Sequence, residues 1–340
     1  MLKPARLKRG DKVALLSPSS NAGAFFPRSI DRAAGVLQNI GYDPVVMPTS
    51  HAHDHGSAGT AAARVKDLHA AFSDPDIRGI FCNIGGESAN ELLTELDYDM
   101  IAANPKVFCG YSDVTLLHFA IARRTGLVTF YGPMAMTQLG EFPAPHEFTM
   151  DHLRRAITDS RPIGQIRPSP HWTDELLPWD GADEVRPRHL KPAPPWRWLR
   201  EGQATGPVIA GCVPSVCQLR GTPFDVNYDG AILFLEIPEG ENLERGLSAE
   251  TVAARLTDLK NGGVFDKIAG LVLGRPYCYE EKELAAFEEL VARRVAPYKF
   301  PVLLNFDFGH TDPIVTLPLG VQATIDGRAN TVSIDEPGVV

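Results

Sequence analysis

The first half of the chain alternates short apolar runs with segments of helical spacing, and this alternation limits the fold more than any other feature. Lys12–Ser17 (KVALLS) reads as a strand ending at Pro18, and Pro27 to Ile40 as a helix with proline in its first turn and Gly41 just past its end. Asp43–Met47 is the next strand, and Ala58–Phe72 an alanine-rich helix. Ile77–Ile84 is a strand running into Gly85-Gly86, followed by a helix over Glu87–Leu96. Lys106–Gly110 is a strand that turns at Tyr111-Ser112 into a helix over Val114–Arg124, and Leu127–Phe130 is again a strand. Strands joined by helical crossovers pair in parallel, and a parallel sheet needs helices on both faces.

The pattern breaks in the middle. Residues 161–200 hold many prolines and all four tryptophans, Trp172, Trp179, Trp196 and Trp198. Such a stretch supports neither helical nor strand periodicity, and a structureless loop of this length in a compact protein is usually functional or disordered. Four large aromatics argue against disorder. Strands resume at Val208–Cys212, Ala231–Ile237, Ile268–Leu273 and Val302–Phe306, with helices over Ser248–Lys260 and Glu280–Val295. The tail, Val321–Ile325 and Thr331–Ile334, reads as a hairpin. The expected division is a nucleophile-bearing unit over 1–160, a connecting and substrate loop over 161–205, and a second unit over 206–340.

Charge and cysteine content exclude several classes. A formal net charge of −9 with no basic run disfavours nucleic acid and anionic membrane surfaces as partners. The apolar run after the basic start, Val13 to Leu16, is too short for a signal-peptide core, and no segment approaches the roughly 20 apolar residues of a membrane span. Five cysteines without a CxxC pair read as buried thiols in a reducing compartment, so the expected location is the cytoplasm. No GxGxxG follows a strand and no GxxxxGK[ST] is present, which disfavours a nicotinamide enzyme.

Four places carry residues suited to chemistry. Ser112, in Gly110-Tyr111-Ser112-Asp113, stands where a strand ends and a helix begins, the arrangement of a nucleophile elbow at the positive end of a helix. The second glycine of the usual elbow is replaced by Val114, and the same residues would also serve as a helix cap. Gly85-Gly86 lies at another strand end, where backbone amides can approach a ligand; with the Asp113 amide, Gly86 would form an oxyanion hole. Glu236 closes the strand AILFLEI, where an unpaired carboxylate is costly, although Glu239 and Glu241 lie close enough that position alone does not choose among them. His310 follows the strand VLLNF within Gly-His-Thr-Asp, placed to act as a base. A denser group, His51, His53 and His55, has alternate spacing compatible with a metal, but its Gly-, Ala- and Asp-rich surroundings suit a solvated turn.

Taken together, the opening GDKVALLSPSS, the Gly-Gly strand end, CGYSDVTLLHFAI, YGPM at 131–134, the LFLE strand and GHTDPIVTLPLG resemble, in order and over most of the chain, the LD-carboxypeptidase family of serine peptidases. The resemblance implies an α/β fold, a flavodoxin-like parallel sheet followed by a mixed β/α unit, with the active site in the groove between them. It implies Ser112 as nucleophile, Glu236 as the orienting carboxylate, His310 as base, and the amides of Gly86 and Asp113 as oxyanion donors, with no cofactor or metal. The long middle segment is similar to that of the microcin C immunity branch, in which a loop tryptophan stacks on the adenine of a peptidyl nucleotide; Trp172 is the first expectation for that role and Trp196 the second. That branch carries Gly-Gly-Asn after the loop, where this chain has Ala210-Gly211-Cys212. The implied substrate is a peptidyl nucleotide or an LD-linked cell-wall peptide, and the implied assembly a homodimer. The rival from another class is a small-molecule or peptide binding protein of the same fold without catalysis.

Overall fold

The computed structural model describes residues 1–340. Strands β1 (Lys12–Leu16), β2 (Asp43–Val46), β3 (Ile77–Cys82), β4 (Val107–Gly110) and β5 (Phe130–Tyr131) form a parallel sheet in the order 5-4-3-1-2. This is the flavodoxin-like order, whose topological switch point lies between β1 and β3. The loops leaving these two strands, Ser17–Ser20 and Asn83–Ser88, therefore diverge at the C-terminal edge and open a crevice there. The run IFC of β3 is wholly buried because helices cover both faces, as expected for parallel strands.

The remaining strands are β6 (Gly164–Ile166), β7 (His171–Trp172), β8 (Lys191–Pro192), β9 (Arg197–Arg200), β10 (Gln203–Cys212), β11 (Ile232–Glu236), β12 (Gly270–Gly274), β13 (Val302–Phe306), β14 (Leu317–Pro318), β15 (Gln322–Asp326) and β16 (Thr331–Ile334). Eight of them make a second, mixed sheet in the order 6-16-15-10-11-12-13-9, parallel from β10 to β13 and antiparallel toward both edges. The two sheets are stitched by β14, which crosses back to pair with β5, and by the Thr115 hydroxyl, which accepts the Cys212 amide at 3.0 Å. Gly211 allows that approach, since a Cβ there would lie 2.6 Å from the Thr115 methyl.

Three differences from the sequence expectations have local causes. Residues 87–96 form only a 3-10 turn, Ala89–Leu92, because the Asp97 side chain accepts the Met100 amide and starts a new helix, Tyr98–Ala103. The strand expected at Leu127–Phe130 is displaced to Phe130–Tyr131. The proline-rich segment is not structureless: β6 and β9 edge the second sheet, and β7 pairs with β8 in a two-stranded ribbon. No helix is long and apolar enough to cross a membrane, and all five cysteines are free thiols.

Candidate active site

Ser112 lies one turn beyond β4 with φ = 63°, in the left-handed region that a non-glycine residue seldom enters. The strain aims its hydroxyl away from the sheet at the first turn of the helix Val114–Thr125. Gly85 makes room for it: a Cβ at residue 85 would stand 2.7 Å from the Ser112 Cβ and 2.9 Å from its Oγ. The exposed Gly86 and the Asp113 N-cap each have an amide with no backbone partner, and the Gly86 amide faces the Asp113 carboxyl.

His310 follows β13 and approaches from the second sheet. Its Nε2 is 3.2 Å from Ser112 Oγ, and its Nδ1 is 2.6 Å from Oε2 of Glu236, the buried last residue of β11. Gly309 (φ = 101°) permits that meeting, because a Cβ there would lie 2.4 Å from the Glu236 Cβ. Burial lowers the imidazole pKa, but the carboxylates of Glu236, Glu239 and Asp312 outweigh it and hold the group up at about 9. The structure thus brings Ser112, Glu236 and His310 into one hydrogen-bonded chain from three distant points of the sequence.

Two further residues support this chain and escaped sequence reasoning. Tyr131, at the end of β5, donates its hydroxyl to Glu236 Oε1 at 2.8 Å and accepts the Ser112 amide at 3.1 Å. Its segment, YGPM, is part of the family resemblance, but nothing in the pattern assigns it a task. Ser19, after β1, donates to Asp113 Oδ2 at 2.5 Å and accepts the Ser88 amide at 3.0 Å. The Ala89 amide also reaches Asp113 Oδ2, at 3.2 Å. Burial pushes the Asp113 carboxyl up to about 6, against these donors and the Arg64 charge. The Asp113 side chain therefore does not cap its own helix; it ties the β1 and β3 loops to the nucleophile turn.

The group opens into a cleft of about 630 Å³ that is lined by Gly85, Gly86, Ser112 and His310 on one side and by 175–180 and Arg188 on the other, a size that suits a small organic ligand. The middle segment is fastened over it. Arg188 binds Glu141 and, at 2.7 Å, Asp312; Arg32 binds Asp183 and Glu184. The tryptophan expectations require correction in position. Trp172 is held between Lys191 and Arg275, whose charges sit 5.1 and 5.6 Å from its ring, and does not line the cleft. Trp196 is buried against Phe306 with its indole N–H on Asp307. Trp179 does line the cleft, edge-on to Phe26. Its neighbours in sequence offer no periodicity that could have singled it out. His51, His53 and His55 are exposed and do not converge; the one trio of metal-capable side chains whose ligand atoms do converge is Cys212, Glu236 and His310.

Comparison with known proteins places the chain in a family. The LD-carboxypeptidase N-terminal domain profile matches residues 13–132, and the C-terminal domain profile matches residues 205–325. The chain is 31% identical to the microcin C7 self-immunity protein MccF of Escherichia coli, covering 98% of this chain and 96% of that one. It is 29% identical to the probable murein peptide carboxypeptidase of Bacillus subtilis, covering 98% and 94%. The solved structure of MccF in complex with aspartyl sulfamoyl adenosine superposes with a TM-score of 0.92 at 31% identity over the whole of both chains. With both domain profiles matched in order and relatives aligned along their full length, the chain belongs to the LD-carboxypeptidase family of peptidases.

Proposed function

We propose that this protein hydrolyses an amide bond by acyl transfer to Ser112. The observation that carries the reading is the continuous contact from Glu236 through the imidazole of His310 to the Ser112 hydroxyl, at 2.6 and 3.2 Å, facing an open cleft. His310 Nε2 takes the hydroxyl proton as Oγ attacks the carbonyl carbon, and the tetrahedral oxyanion is received by the amides of Gly86 and Asp113. His310 then protonates the departing amine, leaving an acyl ester on Ser112. A water, deprotonated by the same nitrogen, hydrolyses that ester. Glu236 fixes the Nδ1–H tautomer and stabilises the imidazolium, and Tyr131 holds Glu236 and the Ser112 backbone in register.

For the substrate, the reading supported best is an aminoacyl or peptidyl nucleotide. The likeness to MccF extends over the full chain, and the ligand in the solved MccF complex is an aminoacyl nucleoside analogue. Trp179 supplies an aromatic face in the cleft wall for the base. An LD-linked murein peptide is the second reading, favoured by the equally complete alignment with the murein peptide carboxypeptidase. Turnover of aspartyl sulfamoyl adenosine beside a muramoyl tetrapeptide decides between them. Trp179→Ala is expected to raise KM for the nucleotide roughly 10-fold or more, as loss of a stacked base would, with the tetrapeptide little changed. Trp172→Ala is expected to change neither selectively. Equal losses on both substrates in Trp179→Ala would count against stacking.

Tyr131→Phe removes the donor to Glu236 while keeping the ring. Its expected effect is a fall in kcat of about 10-fold, the scale of one charge-assisted hydrogen bond, with KM nearly constant. A matching rise in KM would assign Tyr131 to substrate binding instead.

A further inference from the structure

Every carboxylate that lines the cleft has an arginine partner from the protein except two. Glu141 and Asp312 pair with Arg188, Asp183 with Arg32, and Glu175 with Arg186. Asp180 is exposed at the rim, where its side chain accepts the Ala182 amide. Glu239 is different. It stands beside the reacting group, with Oε2 at 3.3 Å from His310 Nε2, and it meets no arginine or lysine. Its side chain is 34% exposed, so it is open to the cleft yet partly desolvated. It is also rigidly presented: residues 238–247 close on themselves through Gly240 N–H to Arg245 O and Leu247 N–H to Pro238 O, and the Tyr277 hydroxyl holds Leu243 O at 2.8 Å.

The position has a chemical consequence. His310 Nε2 is the atom that must accept the Ser112 proton, and the distances from it to Ser112 Oγ and to Glu239 Oε2 are 3.2 and 3.3 Å. A carboxylate at that spot favours a proton on Nε2, which disables the base. The imidazole is the one cationic group of the protein that Glu239 meets, so a cation arriving from the cleft would take that carboxylate over. Any cation hydrogen-bonded to Glu239 would lie within about one residue of the carbonyl attacked by Ser112.

Resting on the acyl-transfer reading above, we infer that Glu239 is a substrate-specificity residue: it binds an ammonium group carried by the substrate next to the scissile amide, and that binding releases His310 to act as base. The substrates of this chain are then amides bearing a free amine at the residue of the scissile bond, either an α-amine or the side-chain amine of a diamino acid. Amides acylated at that amine are disfavoured twice, by loss of the ion pair and by the proton left on Nε2. The groups facing the imidazole are consistent with this: the carboxyl groups of Glu236, Glu239 and Asp312, the Ser112 hydroxyl, the Cys212 thiol and the Tyr111 ring edge, while the guanidinium of Arg188 is spent on Glu141 and Asp312 and that of Arg32 on Asp183 and Glu184.

Two probe pairs test it. One is aspartyl sulfamoyl adenosine with its α-amine free or acetylated. The other is an alanyl–γ-D-glutamyl–lysyl–D-alanine tetrapeptide with its lysyl amine free or acetylated. Binding is measured by calorimetry on Ser112→Ala and on Ser112→Ala with Glu239→Gln, so that the result does not depend on turnover. The preference for free amine over acetylated form is expected to fall at least ~10-fold with Glu239→Gln in one of the pairs, as loss of a charge-assisted contact does, and Glu239→Asp is expected to keep part of it. The pair that responds identifies which amine is read. In the Ser112-bearing protein, kcat/KM rises with pH through the titration of free His310. Glu239→Gln is expected to move that limb to lower pH by about one unit, a shift that a merely structural residue would not produce. An unchanged preference in both pairs, or binding of neither free amine, overturns the inference. A preference that behaves as stated without any hydrolysis by the intact protein would instead overturn the acyl-transfer reading and leave Glu239 as an amine-binding residue.

Discussion

Ser112→Ala is expected to lower kcat by about 10⁴- to 10⁶-fold, the loss seen when a serine nucleophile is removed from a hydrogen-bonded triad. Substrate affinity should persist, because the cleft wall and the Gly86 and Asp113 amides are untouched. His310→Ala should be nearly as severe, and the double variant hardly worse than either alone, since the residues act as one unit. A different substitution at the same position separates strain from chemistry. Ser112 is held at φ = 63°, and glycine enters that region freely. Ser112→Gly should therefore be inactive and yet more stable, by about 1 kcal/mol, read as a small rise in denaturation midpoint. An unchanged or lowered midpoint would argue that the turn carries no strain.

Gly85→Ala is the second large effect. The new Cβ would sit 2.7 Å from the Ser112 Cβ and 2.9 Å from its Oγ. The contact is with the nucleophile itself, and the opposing backbone is fixed by the bond from the Ser20 amide to the Gly85 carbonyl at 3.1 Å. The hydroxyl must therefore move, and a displacement near 1 Å typically costs on the order of 100-fold in rate. The expected result is a loss of kcat/KM of at least that size, with circular dichroism and denaturation midpoint close to those of the parent. The same substitution at Gly309 should be worse for folding, because the added Cβ would meet the buried Glu236 Cβ at 2.4 Å. If Gly85→Ala retained full activity, the nucleophile turn would have to be far more pliant than its packing against Gly85 implies.

How much of this was legible in sequence depends on the kind of signal. The first sheet was readable because each buried strand is a continuous apolar run and each crossover has its own start and stop residues. Ile77–Cys82 and Val107–Gly110 fell within a residue or two of their expected limits. The positions of Ser112, Gly86 and His310 at strand ends were readable for the same reason, since parallel sheets gather their loops at one edge. Choosing Glu236 over Glu239 and Glu241 was not possible from position. It depends on how far β11 runs before the chain turns, and Glu239 proves to reach the same imidazole on its other nitrogen.

The middle segment was the least legible part. Its strands are two to four residues long, too short for any periodicity to register, and its order comes from ion pairs between it and residues far off in the chain. Arg32 and Arg188 fasten it to the first-half helix Pro27–Asn39 and to Asp312. Which tryptophan faces the cleft follows from those ion pairs and not from composition. Trp172 is taken up by two cations, Trp196 by Asp307 and Trp198 by Asn330, which leaves Trp179 in the wall. Tyr131 was hidden for a simpler reason: a buried tyrosine at a strand end looks like core until its hydroxyl partners are known.

The central claim is that His310 makes the Ser112 hydroxyl a nucleophile. It is tested most directly by reacting the protein with a fluorophosphonate and locating the adduct by peptide mass spectrometry. The account predicts a single phosphonyl group on Ser112 in the parent protein, and its loss in both Ser112→Ala and His310→Ala. Modification of Ser112 at an undiminished rate in His310→Ala, or amide hydrolysis that survives Ser112→Ala, would contradict it.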